Sequence, residues 1–173
     1  MAANETVKIP QADVLWDVVR VAEAVSRGID TTEAIGAYIG AKGPRQGLYY
    51  TQAARILGLV GDGVEPGTIA LTVYGRAFVS YDIESQRQAM RRLLRQREPT
   101  STVITALRVT GELDLDGVAR ALQGIAPLAD STAHRRAQTI IRWLMHAGIA
   151  TWQDGHLCYV PSSAPTGGFL RSQ

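Results

Sequence analysis

The stretch DSTAHRRAQTIIRWLMHAGIATWQDGHLCYV, residues 130–160, joins an amphipathic helix to a β-hairpin. Its apolar residues recur at helical spacing as far as Gly148. Asp154 and Gly155 then stand between alternating apolar residues, which is a strong signal for a two-stranded hairpin. The stretch therefore predicts a long helix followed directly by a small antiparallel sheet.

The first turns of this helix carry two arginines, Arg135 and Arg136. The backbone already places partial positive charge at the N-terminus of a helix, so an acidic residue would be the stabilising choice there. One interpretation is that these long cationic side chains simply solvate a surface. The other is that this end of the helix faces an anion, which the helix dipole and the arginines would bind together.

The first half of the chain has the same order of elements. Apolar spacing and capping signals predict helices that begin near Asp13, Thr31 and Pro44, and a Gly- and Pro-rich hairpin follows them. Arg45 lies 13 residues before Gly58, and in the second half Arg135 lies 13 residues before Gly148. A duplicated unit of helices and a β-wing, the winged helix-turn-helix, is the simplest account of this repeat.

The predicted fold class is mainly α with small β-hairpin wings, in which two winged helix-turn-helix domains are joined by connector helices. The expected parts are an N-terminal winged helix-turn-helix domain over 1–82, a helical connector over 83–112, a C-terminal winged helix-turn-helix domain over 113–160 and a flexible tail over 161–173.

Composition restricts the class of protein. The chain has 173 residues, of which 46% are hydrophobic, and a single cysteine, Cys158, so no disulfide can form within it. No run approaches the roughly 18 apolar residues of a membrane span, and the N-terminus lacks the layout of a signal peptide. We expect a cytoplasmic protein without a membrane partner.

The net charge of +2 is unevenly distributed. The part up to Glu84 has 7 Lys/Arg and 10 Asp/Glu, whereas the part from Ser85 on has 11 and 6, so an anionic partner is expected on the second half. The predicted connector helix contributes five arginines. We favour the interpretation that they form a solvent-exposed face over the interpretation that they contact phosphates. They are Arg87, Arg91, Arg92, Arg95 and Arg97.

In a winged helix-turn-helix the helix before the wing enters the major groove, where arginine can bind guanine edges or phosphates. In the second half, Arg135, Thr139, Arg142 and His146 follow one another on the stripe opposite the apolar face. In the first half Tyr49 has an alternative role as a core residue. The candidate DNA-binding residues are Arg45, Gln46, Tyr49, Gln52, Arg55, Ser131, Thr132, Arg135, Arg136, Thr139 and Arg142.

Trp143 follows Arg142 but lies near the packing side of the same helix. We expect its indole to be buried between this helix and the wing, with Trp152 or Tyr159 against it. Its role would then be in stability and not in ligand contact.

Three motifs in this order carry a family resemblance: PRQGLYYTQAARILGLV, LTVYGRAF and STAHRRAQTIIRWLMHAGI. They resemble the tandem winged-helix module of bacterial restriction endonucleases and related defence proteins, over about residues 28–160. The resemblance implies recognition of double-stranded DNA, with a nuclease subunit or domain as a further partner.

The residues for catalysis are not evident. Neither Lys8 nor Lys42 stands in the acid-x-Lys arrangement of a restriction nuclease, and GDGVEPG lacks the context of a nucleotide-binding loop. The histidines His134, His146 and His156, with Cys158, match no common zinc spacing. We expect no enzyme activity, no metal and no cofactor.

The sequence thus predicts a sequence-specific double-stranded DNA-binding protein that serves as the recognition subunit or domain of a restriction or defence nuclease system. One alternative is a transcriptional regulator, as a homodimer through the connector helices. The other is a winged-helix protein-interaction adaptor, which the acidic first half and the modest net charge favour.

Overall fold

The computed structural model describes residues 6–161. These residues form a mainly helical fold with two small antiparallel sheets, which confirms the predicted fold class at this level. The elements in chain order are α1 (Leu15–Ser26), α2 (Thr32–Ile39), α3 (Pro44–Ile56), β1 (Val60–Asp62), β2 (Ile69–Leu71), α4 (Val73–Ser80), α5 (Ile83–Gln96), α6 (Thr100–Thr110), β3 (Glu112–Leu113), α7 (Leu115–Gln123), α8 (Asp130–His146), β4 (Ala150–Gln153) and β5 (His156–Tyr159). The tail over 161–173 lies, apart from its first residue, outside the described residues.

The first half packs α1 against α2 and α3. Thr31 caps α2, because its hydroxyl accepts a hydrogen bond from the amide of Ala34, and Gly40 ends the helix in the left-handed conformation. Helices α2 and α3 approach closely at Gly36 and Gly47, since a Cβ atom on Gly47 would lie 3.0 Å from the Cα atom of Gly36. This contact fixes α3 and the side chains that it presents.

A hairpin and a short helix follow α3. Strands β1 and β2 pair antiparallel with Val60 opposite Leu71. Thr72 then caps α4 by accepting from the amide of Gly75, and its hydroxyl lies 2.6 Å from the carbonyl oxygen of Gly58, to which it donates. The cap therefore connects the start of α4 to the end of α3.

In the second half, α7 and α8 pack together and a three-stranded sheet lies beside them. Asp114 caps α7 by accepting from the amide of Gly117. The sheet has the order β3, β5, β4, and β3 pairs antiparallel with β5. Strand β3 and helix α6, which contacts α7 and β5, both include residues of the expected connector. That connector thus packs closely with the C-terminal elements.

The core is one apolar cluster that includes residues of both halves, from Ala12 to Leu157. Trp143 is fully buried in it, as predicted. The indole Nε1 donates to the carbonyl oxygen of Ala12, while Trp152 is 39% exposed and Tyr159 packs, partly buried, against the core. The segment before α1 therefore provides the hydrogen-bond acceptor that was not anticipated.

No helix within residues 6–161 is long and apolar enough to cross a lipid bilayer.

Candidate functional site

A groove of about 360 Å³ lies where α3, α8 and the segment before α1 meet. It brings residues from both predicted DNA-binding helices into one place, and five of the eleven candidate residues line it. We call it the arginine groove. Its lining residues are Gln11, Asp13, Arg45, Tyr49, Arg135, Arg136 and Thr139.

Helix α3 contributes Arg45 and Tyr49, which lie one turn apart. Pro44 occupies the start of the helix, and its first turn contains no acidic residue. The guanidinium of Arg45 lies 5.6 Å from the centre of the Tyr49 ring, and its Nε donates a 2.6 Å hydrogen bond to the Tyr49 hydroxyl. This contact orients Arg45, and no residue within 6–161 forms an ion pair with its terminal guanidinium nitrogens.

Helix α8 contributes Arg135, which is exposed, and Arg136, which is partly buried. Within residues 6–161 neither has an acidic group within ion-pair distance. Burial and then the positive charge of Arg135 lower the pKa of Arg136, whereas Tyr49 acts in the opposite direction. Two adjacent cations without an acid are electrostatically unfavourable, and a bound anion would offset that cost.

Asp13 supplies a carboxylate to the same groove, and both of its oxygens are engaged by α8. One oxygen accepts a 2.6 Å hydrogen bond from the hydroxyl of Thr139, and the other forms an ion pair with the guanidinium of Arg142. Thr139 is only 3% exposed. The segment before α1 therefore covers Thr139, whereas half of the Arg142 side chain stays exposed.

His146, the last residue of the predicted polar stripe on α8, also faces the segment before α1. Its Nδ1 lies 3.5 Å from the backbone amide of Leu15, at the start of α1. Arg142 and His146 nevertheless stay exposed on α8, as does Arg135 in its N-terminal part. Ser131 is exposed and Thr132 partly exposed in this part, although neither lines the arginine groove.

Three candidate residues of α3 lie outside the arginine groove. The side-chain oxygen of Gln46 accepts a 2.6 Å hydrogen bond from the amide of Lys42 and so stabilises the loop before the helix. Gln52 and Arg55 line a separate groove of about 660 Å³, and Arg55 forms an ion pair of 2.7 Å with Asp62. These three side chains therefore do not line the arginine groove.

Arg91 of α5 and Arg97, the residue directly after α5, contact the C-terminal ends of the helices that carry the groove. Arg91 donates from Nε to the carbonyl oxygen of Ala147 at 2.8 Å, just after α8. Arg97 lies against Gly58 after α3, where a Cβ atom would be 2.6 Å from its Nη2. Cations are favourable at helix C-termini, so these two side chains have a structural role that the sequence pattern did not indicate.

The described residues contain no group of three or more His, Cys, Asp or Glu side chains arranged to hold a metal ion. His134 instead connects two helices. Its Nε2 lies 2.6 Å from a carboxylate oxygen of Asp116 on α7, and its Nδ1 lies 2.7 Å from the carbonyl oxygen of Asp130. Both nitrogens donate in the protonated ring, and these contacts, the side-chain one first, raise the pKa of His134.

Residues 48–153 match the family described as the C-terminal AAA-associated domain. The match covers more than half of the chain, which therefore belongs to this family. Arg135 and Arg136 lie inside the matched region, whereas Asp13 and Arg45 precede it. No curated protein and no solved structure matches the chain.

Proposed function

We propose that this chain is a DNA-binding module of two winged helix-turn-helix units, without catalysis of its own, that binds double-stranded DNA through the arginine groove. The observation that carries the proposal is the convergence of Arg45, Arg135 and Arg136 on one groove from two separate helices. Planar guanidinium groups suit phosphate oxygens because they donate two parallel hydrogen bonds.

The order of elements supports the assignment of winged units. In the second half a helix, a strand, two helices and a hairpin follow one another, and the first strand pairs with the last. The first half has three helices and a hairpin. In each half, the helix that carries the groove arginines directly precedes the hairpin, which is the position of a recognition helix.

The wider role that we propose is recognition for a restriction or defence nuclease. Its support is the set of sequence motifs around α3, α4 and α8, which includes the capping residue Thr72 and the close-packed Gly75. Selection of binding sites from a random duplex library tests the sequence-specific recognition that this role requires. A nuclease recognition module yields a defined site, whereas binding without an enriched site would overturn sequence-specific recognition.

Binding itself is tested by fluorescence anisotropy with a labelled duplex, at salt concentrations from about 50 to about 200 mM. The double variant Arg135→Ala/Arg136→Ala should lose most of its affinity. The magnitude of the slope of log affinity against log salt should decrease by about 2, since each phosphate contact contributes about 0.9. The matched control is Arg108→Ala/Arg120→Ala, which removes the same charge from exposed positions on α6 and α7. Equal losses in both double variants would contradict the assignment of the groove.

The family match favours a second candidate, a module that works with an AAA protein. In that case the chain is a docking adaptor, and its partner is an AAA protein. Affinity for the purified partner should then change little with salt and little in the Arg135→Ala/Arg136→Ala variant. Tight duplex binding together with no affinity for that partner would overturn the second candidate.

A further inference from the structure

We propose that Asp13 is an internal competitor for the nucleic acid, which withholds Arg142 and Thr139 and so limits the affinity of the arginine groove. The inference rests on the proposed function, since it concerns the same ligand. It adds a regulatory residue that lies outside the two arginine-bearing helices, in the segment before α1.

The contacts of Asp13 are those that a phosphate would make. One oxygen accepts from the hydroxyl of Thr139 at 2.6 Å, and the other forms an ion pair with Arg142. The same carboxylate lines the groove that contains Arg45, Arg135 and Arg136. It therefore engages one cation and repels a phosphate that approaches the other three.

The segment that carries Asp13 is fixed by contacts that do not involve its carboxylate. On one side the carbonyl of Ala12 accepts from the buried indole of Trp143 at 2.6 Å. On the other side the amide of Val14 lies 3.3 Å from the hydroxyl of Tyr50, and Leu15 is fully buried. A substitution at Asp13 therefore leaves the segment in place and changes the charge of the groove.

Arg142 can leave Asp13 and contact a phosphate when the carboxylate is removed. Its side chain is 50% exposed, and within residues 6–161 it forms its ion pair with Asp13. When the carboxylate is absent, the guanidinium can turn to a phosphate that is bound at the neighbouring arginines. Neutralisation of Asp13 should thus add one phosphate contact and remove one repulsive charge.

The test is a set of duplex-binding measurements on the full chain. Asp13→Asn should raise affinity about tenfold at about 50 mM salt and increase the magnitude of the salt slope by about 0.9, as expected for one added phosphate contact. Asp13→Ser is a second variant that keeps a small acceptor for Thr139. Thermal melting of each variant verifies that it is folded.

A double-mutant cycle with Arg142→Ala separates two effects of Asp13→Asn: the release of Arg142 and the loss of one negative charge from the groove. Arg142→Ala alone gives the reference affinity of the cycle, and the combined variant, compared with it, should lack the extra salt slope and most of the gain. The matched control is Asp17→Asn, which removes the same charge from α1, where Asp17 pairs with Arg20 at 3.4 Å.

Three outcomes would overturn the inference: no gain in folded Asp13→Asn, an equal gain in Asp17→Asn, or an undiminished gain when Arg142 is also replaced. Duplex binding by the wild type in each of these cases leaves the proposed function standing. If neither the wild type nor any folded variant binds the duplex at low salt, the proposed function fails, and the inference fails with it.

Discussion

The indole Nε1 of Trp143 donates a 2.6 Å hydrogen bond to the carbonyl oxygen of Ala12, which lies 131 residues earlier in the chain. Trp143 is fully buried and Ala12 is 1% exposed. The bond therefore joins the segment before α1 to α8 inside the core. It also sets the position of Asp13, the next residue, against α8.

Replacement of Trp143 should act on stability. Trp143→Ala should lower the free energy of unfolding by about 3 to 5 kcal/mol, because it removes a large buried side chain. Trp143→Phe, which keeps most of the apolar volume, should cost about 1 to 3 kcal/mol, since the buried carbonyl of Ala12 loses its donor. Urea unfolding followed by circular dichroism measures both.

The control for these variants is Trp152→Ala, at a position that is 39% exposed. It should destabilise the protein much less than Trp143→Ala does. Equal losses at the two positions would contradict the burial of Trp143 between α8 and the segment before α1. Below its melting temperature, Trp143→Phe should bind a duplex as the wild type does.

Local signals predicted the elements well. The cap at Thr31 and the proline at 44 place the starts of α2 and α3 close to where they occur, because each acts on its own or adjacent turns. The buried face of α8 also follows from helical spacing. These features depend on residues that are near one another in the sequence.

The sequence could not predict the arrangement of the candidate site, because that arrangement depends on contacts between residues that are distant in the chain. Thr139 and Asp13 are separated by 126 positions, and no sequence period relates them. The polar stripe on α8 was consistent equally with an open surface and with a polar contact to another segment. Arg45 and Arg135 were both recognised as candidates, but their convergence on one groove depends on how the two halves pack.

Gly75 should tolerate no side chain. It lies in the first turn of α4, and a Cβ atom there would be only 1.9 Å from the carbonyl oxygen of Leu59. Gly75→Ala should therefore destabilise the protein by about 3 kcal/mol, despite the higher helix propensity of alanine, because backbone must move. Thermal melting measures the change.

Gly43 provides the comparison for Gly75. A Cβ atom at Gly43 would meet nothing within 4 Å, and its backbone is extended. Gly43→Ala should leave the melting temperature nearly unchanged. If Gly75→Ala melts like the wild type, then α4 does not pack on the end of α3 as described.

Arg91 should stabilise the fold and contribute little to DNA affinity. Its Nε donates to the carbonyl of Ala147 at the C-terminal end of α8. Arg91→Ala should lower the free energy of unfolding by about 1 to 2 kcal/mol, because the last turn loses a charged donor. Denaturant unfolding measures this effect, and the salt slope of duplex binding should not change. A reduced slope with unchanged stability would instead identify Arg91 as a phosphate contact.

His134 should make stability depend on pH through its contacts with Asp116 and Asp130. These contacts raise its pKa above the ordinary value of 6.5 in the folded protein, the bond to Asp116 having the largest effect. A raised folded pKa means that the stabilisation is complete below the unfolded value and is lost as pH rises through the folded value. Urea unfolding at intervals from about pH 5.5 to about pH 8.5 should therefore show stability falling over the upper part of this range.

Asp116→Asn removes the carboxylate that favours the protonated ring, so it should lower the stability at acid pH and flatten the pH dependence. His156→Gln is the matched control, because the ring nitrogen of His156 contacts the carbonyl oxygen of Asp154 in the hairpin between β4 and β5, away from α7. NMR titration of the imidazole protons assigns the pKa of each ring. If Asp116→Asn keeps the full pH dependence while His156→Gln loses it, the contact between α7 and α8 is not the titrating element.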